Sequence, residues 1–64
     1  MTNLEIIKKI NNAQIACFAY SVRSHVEVCY RASKKNIITI KDGEITWIGN
    51  CSAGVTAIKE LLSL

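Results

Sequence analysis

Ile37-Ile38-Thr39-Ile40-Lys41-Asp42-Gly43-Glu44-Ile45-Thr46-Trp47-Ile48 is a pair of alternating runs joined by Asp-Gly. Asp-Gly supplies the two positive φ angles of a type I′ turn, whose twist matches the strands it connects. The stretch reads as a hairpin with strands at Ile37 to Lys41 and Glu44 to Ile48. A two-residue turn fixes the pairing: Lys41 with Glu44, Ile40 with Ile45, Thr39 with Thr46, Ile38 with Trp47. Side chains alternate across a strand, so Ile38, Ile40, Ile45 and Trp47 share a core face and the other face is mostly polar.

Upstream, Ile15 to Val22 and His25 to Ala32 are rich in the β-branched and aromatic residues that suit a pleated surface. A turn at Arg23-Ser24 pairs Ala19 with Val28 and Cys17 with Tyr30. The next connection is chosen by matching character across the pair. A two-residue turn at Lys34-Lys35 would set Cys29 against Ile40 and Arg31 against Ile38, mixing core with surface. A three-residue loop, Ser33-Lys34-Lys35, sets Val28 against Ile40, Tyr30 against Ile38 and Glu27 against Lys41, and is the expected register.

Helices flank these strands. Thr2-Asn3-Leu4-Glu5 is a capping box, and Leu4, Ile7, Ile10 and Ala13 recur on one side with Ile6 beside them. Asn11-Asn12 is the expected stop, because asparagine tolerates the left-handed conformation. The closing helix runs from about Ser52 to Leu64. Cys51, Val55, Ile58 and Leu62 form its stripe, widened by Ala57, Leu61 and Leu64. The predicted fold is α+β, ordered α-β-β-β-β-α: a four-stranded antiparallel meander with both helices on one face.

Composition bounds the function. A chain of 64 residues is expected to form a single α+β domain over positions 1–64. At that size it buries only about 60% of the surface its unfolded form exposes. Half the residues are apolar and proline is absent, which is globular rather than disordered composition. The longest apolar run, Ile15 to Tyr20, is far short of a membrane span. Glu5, Lys8 and Lys9 precede any long apolar stretch, unlike a signal peptide, so a cytoplasmic location is expected. The net charge of +3 is weak support for nucleic acid. Three cysteines, with no CxxC spacing and one histidine, suit neither a disulfide framework nor a structural zinc site. No metal or cofactor is expected.

In this register the inner face holds Cys17, Ala19, Val26, Val28, Tyr30, Ile38, Ile40, Ile45 and Trp47. The outer face falls into rows: Tyr20, Glu27, Lys41 and Glu44; Phe18, Cys29, Thr39 and Thr46; Ala16, Arg31, Ile37 and Ile48. Phe18, Ile37 and Ile48 are expensive to leave in water, which points to cover by another chain. Aromatics beside an arginine resemble interface anchors. The expected binding surface is Phe18, Tyr20, Arg31, Ile37 and Ile48, with Lys34, Lys35 and Lys41. The same lysines with Arg31, Phe18 and Tyr20 form the alternative: a basic, aromatic face that tracks phosphates and stacks bases.

Gly49-Asn50-Cys51-Ser52-Ala53-Gly54 opens a helix through small residues, and its free amides could hold an anion. The Lys-Ser/Thr of a phosphate loop is absent, so a tight turn with an asparagine or serine cap is expected. No paired carboxylates and no base beside a cysteine are visible, and an enzyme is not expected. Ser24-His25, at the start of the second strand, resembles the Gly-Ser-His motif of small HicA-type toxins, which cleave mRNA. The likeness follows the whole chain in element order, with Arg23 in place of the motif glycine and four strands where the family usually has three. It implies His25 as the catalytic residue. The function expected overall is a small binding module, a regulator or inhibitor of a protein partner, with self-association into a homodimer. By size alone, an inhibitor carried by a phage or mobile element is one form this module is expected to take. A nucleic-acid-binding or HicA-like protein is the alternative.

Overall fold

The computed structural model describes residues 1–34 and 37–63. Chain order is α1 (Asn3–Asn12), β1 (Cys17–Val22), β2 (His25–Tyr30), β3 (Ile37–Lys41), β4 (Glu44–Trp47) and α2 (Ser52–Leu62). The strands form one antiparallel sheet in the order β1-β2-β3-β4. The α-β-β-β-β-α meander is therefore as expected. Lys35 and Leu64 lie outside the described residues.

The capping box starts α1. The Thr2 hydroxyl accepts the Glu5 amide at 3.2 Å, and the Glu5 carboxylate accepts the Thr2 amide at 3.0 Å. That backbone hydrogen bond is the main reason the Glu5 carboxyl titrates below its ordinary value. The buried row is Ile6 and Ile10, one turn apart, with Ile7 at its margin. Leu4 lies on the far side of Ile7 and is 61% exposed, so it does not join the stripe. The helix does end at Asn12, but not through a left-handed asparagine. Its cap, Ala13, is extended (φ −76°, ψ 144°) and donates to the Lys9 carbonyl. Asn11 is used otherwise: its side chain accepts the Ala19 amide at 2.7 Å and donates to the Ala19 carbonyl at 2.9 Å.

Both outer hairpins have the expected registers. Arg23, at φ 55°, makes the first turn, with Ala19 opposite Val28 and Cys17 opposite Tyr30. Asp42 (φ 53°) and Gly43 (φ 79°) make the type I′ turn, with Ile38 opposite Trp47 and Ile40 opposite Ile45. The middle register is corrected by two residues. Val26 faces Ile40, Glu27 faces Thr39, Val28 faces Ile38 and Cys29 faces Ile37. The connection is longer than the expected Ser33-Lys34-Lys35 loop because β2 stops at Tyr30, whose carbonyl accepts the amide of left-handed Lys34 at 2.9 Å. The energetic reason is Val26. The expected register would set it against Asp42, in the turn, and gain only a surface pair between Glu27 and Lys41. Such pairs contribute about 0–1 kcal/mol, whereas burying a valine is worth about 1.5–3 kcal/mol. A slip of two keeps every side chain on its face.

Ile6, Ile10, Val55, Ile58 and Leu62 from the helices close over Cys17, Ala19, Val26, Val28, Ile38 and Ile40 from the sheet. Both helices thus sit on one face. The inner face fades toward β4, where Ile45 is half-buried and Trp47 is 45% exposed. Trp47 occupies the core face as expected but is not core. α1 packs over β1 and β2, and burial falls away at β4, the opposite edge of the sheet.

Candidate functional site

The outer face of the sheet carries no helix, and the corrected register changes what it displays. Pairings across the three hairpins place Phe18, Cys29, Ile37 and Ile48 in one row that crosses β1, β2 and β3 and ends one residue past β4. The link to β4 is the Ile48 amide, which donates to the Ile37 carbonyl at 3.1 Å. The next row is Tyr20, Glu27, Thr39 and Thr46. In the expected register the apolar members were split between two rows. Here they adjoin, and the consequence is measurable: Cys29 is only 3% exposed although no helix covers it. Phe18 and Ile37 are half-buried by their lateral neighbours, and Ile48, at the open end, is 79% exposed.

Tyr20 and Phe18 stand on the same strand face with ring centroids 5.8 Å apart and planes tilted by 32°. The Tyr20 hydroxyl donates to Glu27 Oε1 at 3.3 Å, and Glu27 Oε2 lies 3.0 Å from His25 Nε2. Lost hydration, followed by the Glu27 carboxylate, pushes the Tyr20 phenol above its ordinary range. Burial likewise raises the Cys29 thiol, partly opposed by Lys34. Burial is also the main cause of the rise at Cys17 on the inner face. All three cysteines are free and buried.

Of the expected basic residues, the described ones, Arg31, Lys34 and Lys41, do not gather. Arg31 lies beyond the apolar row at one end of the sheet, where its amide bonds the Ala16 carbonyl at 2.9 Å and its Nε the Ile15 carbonyl at 3.5 Å. Lys34 sits in the turn that follows, exposed. Lys41 is at the other end, opposite Glu44 and beside the Asp42 turn. Between the two ends stand the apolar row and the carboxylate of Glu27. The site residues brought together are therefore Phe18, Tyr20, Ile37 and Ile48, with Cys29 as a member that sequence reasoning left out. The signal for it was present: Cys29 suits Ile37 as a neighbour better than it suits Thr39.

The start of α2 is occupied by internal contacts. Cys51 is the cap residue in place of the expected asparagine or serine, and it makes no side-chain cap; its thiol donates to the Ile48 carbonyl at 3.3 Å. One of the first-turn amides, Gly54, donates to the Tyr30 hydroxyl at 3.2 Å. A cleft of about 380 Å³ opens between Met1–Asn3, Ile6, the Asp42-Gly43 turn and Leu62. Asp42 is its one acidic side chain. Among the described residues, no three His, Cys, Asp or Glu side chains are grouped to hold a metal ion, and no helix is long and apolar enough to cross a membrane. No protein-family model matches the chain, and comparison with curated proteins and with solved structures likewise finds no match.

Proposed function

We propose that this protein acts by binding a protein partner through the outer face of its sheet, as a regulator or inhibitor working in the cytoplasm. The observation that carries this is the apolar row Phe18–Cys29–Ile37–Ile48, which spans the sheet with neither helix over it. Full burial of each such side chain is worth about 1.5–3 kcal/mol. Association itself costs an estimated 4–15 kcal/mol. The row alone is therefore an anchor rather than an interface. A stable contact, at about 800 Å² per partner, extends onto Tyr20, Thr39 and Thr46. Arg31 and Lys34 make one end basic, whereas at the other Lys41 stands beside Glu44 with Glu27 one row away, and this unequal charge orients the partner.

The test is capture from a nuclease-treated lysate by the tagged protein and by its Phe18→Asp and Ile37→Asp variants. The expected result is a partner retained by the wild type and lost from both folded variants. Equal capture by wild type and variants would refute the outer face as the contact.

A second reading has its own observation, the 3.0 Å contact between His25 and Glu27 beside the Tyr20 hydroxyl. A carboxylate that orients an imidazole is an arrangement used for general base catalysis. His25 is also the residue that the HicA resemblance implies. On this reading RNA binding weakens steeply with salt and His25→Ala abolishes RNA cleavage. Salt-insensitive partner capture with no RNA cleavage would eliminate it.

A further inference from the structure

The two edges of the sheet are finished differently. In an antiparallel ladder successive residues turn their N–H and C=O to alternate sides. On β1 the outward pair at Ala19 is taken at both atoms by the Asn11 side chain. Nearby, the Asn3 amide donates to the Ser24 carbonyl at 3.1 Å. Asn11 thus blocks this edge at its middle residue. On β4 the Ile48 amide bonds β3, so Glu44 and Thr46 do so too, and Ile45 and Trp47 turn their backbone groups outward. No described side chain caps them. No proline or lysine lies in β4, and its pairing with β3 runs without a bulge. Proline, lysine and bulges ordinarily guard an edge; β4 has only its short length, four residues, and the charge of Glu44 at its start. The exposed indole of Trp47 stands on the same edge.

We propose that β4 pairs antiparallel with β4 of a second copy, joining two sheets into one closed, two-fold dimer. An edge of free backbone groups calls for an extended backbone as its occupant, and the strand is complementary to itself. A two-fold axis normal to the sheet and midway between the two copies of Thr46 places Ile45 opposite Trp47 of the second copy and Trp47 opposite its Ile45. Both are pairs that exchange two backbone hydrogen bonds. In the same register the half-buried Ile45 and half-exposed Trp47 of each copy cover one another on the inner face. Thr46 meets Thr46 on the outer face. Glu44 comes opposite Ile48, the one mismatched pair, and keeps Lys41 on its other side. A slip of two in either direction sets Trp47 against the Asp42-Gly43 turn or Ile45 against Gly49, and shortens the ladder. Because the two-fold contact consumes the β4 edge of both copies, and Asn11 interrupts the β1 edge at Ala19, addition stops at two copies instead of running on into a fibre.

The dimer leaves the outer face open, so it stands apart from the partner-binding proposal. Sedimentation equilibrium over a wide dilution series tests it, together with amide hydrogen exchange. The expected result is a mass twice that of one chain, with the Ile45 and Trp47 amides protected in the dimer and exchanging freely on dilution. Ile45→Pro removes an outward donor without touching the bonds to β3, and Trp47→Lys guards the edge; both variants are expected to be monomers. Phe18→Asp, on the opposite edge strand, is expected to remain a dimer. A wild type that is monomeric throughout, or free exchange at Ile45 and Trp47 in an associated sample, overturns the proposal. So does a dimer that Phe18→Asp dissolves, which would place self-association on the outer face.

Discussion

The two faces of one sheet carry the same kind of row and meet different fates. Ile38 on the inner face is 1% exposed beneath the helices; its chain neighbour Ile37, on the outer face, is only half-buried. Cys17 and Cys29 sharpen the contrast. Both are almost fully buried, at 2% and 3% exposure, yet Cys17 is covered by the helical layer and Cys29 only by the side chains beside it. An apolar row that crosses the sheet shelters its own middle and leaves its ends unsatisfied. On the inner face a second layer seals the β1 end, at Ala19, and leaves only Trp47, at β4, half-exposed. On the outer face the end at Ile48 remains in water, and that is where an external surface gains most.

The largest expected effects belong to the covered face. Ile38→Ala should cost about 2–5 kcal/mol by deleting packed methyls and leaving a cavity. Stability of a small domain is only about 5–15 kcal/mol, so this variant should melt far earlier by calorimetry. Ile48→Ala should shift stability by no more than about 0.5 kcal/mol. Trp47→Ala belongs between them, at about 1–2 kcal/mol, less than the ~3–5 kcal/mol of a fully buried aromatic. Equal losses at Ile38 and Ile48 would erase the distinction between the faces.

Gly54→Ala probes the seam between sheet and α2. An added Cβ would lie 2.9 Å from the Tyr30 hydroxyl and 3.3 Å from its ring. Tyr30 is half-buried and held by the Gly54 amide, so overpacking should cost about 1–3 kcal/mol. Tyr30→Phe removes the hydroxyl and should relieve part of that cost, measurable as a non-additive double-mutant cycle.

The capping box is a smaller term. Thr2→Ala should cost about 1 kcal/mol. The Glu5 carboxyl titrates below its ordinary value in the folded chain, chiefly because it accepts the Thr2 amide. Its contribution is therefore present above the unfolded carboxyl pKa and is lost as pH falls through the lower folded value. Melting temperatures of wild type and Glu5→Gln should differ at neutral pH and converge in acid; divergence in acid would reverse the sign.

The smallest effect is kinetic. Burial raises both the Cys17 and Cys29 thiols, so native alkylation should be slow at neutral pH and accelerate only above the usual thiol range. Phe18→Ala should speed labelling of Cys29 and leave Cys17 unchanged, read residue by residue by mass spectrometry. Equal acceleration at both would mean that Phe18 supports the whole fold.

Much of this was legible in the residues. Thr2-Asn3-Leu4-Glu5 marked the start of α1, and Asp42-Gly43 fixed its hairpin to the residue, because each signal is local and chemically specific. Face assignments also held, since a two-residue slip preserves parity. The middle register was only partly legible: Cys29 beside Ile37 favoured the observed pairing, but other signals opposed it. The charge match of Glu27 with Lys41 competed with the burial of Val26, and nothing in the loop residues measures its length. That one slip hid the adjacency of Cys29 and Ile37, and with it the continuity of the outer row. Asn11 misled for a related reason: its side chain serves a partner eight residues away, Ala19, where local rules see a helix stop. Trp47 was assigned to the right face, but how far a helix reaches across a sheet depends on packing angles that no periodicity encodes.

Isoleucine methyl NMR tests the central claim most directly, because the faces differ in the same residue type. Ile37 and Ile48 report the outer face; Ile38, Ile40 and Ile58 report the covered one. On addition of the captured partner, the account predicts large shifts or broadening at Ile37 and Ile48, with Ile38, Ile40 and Ile58 nearly unmoved. A partner that binds while the Ile37 and Ile48 methyls stay in place would contradict it.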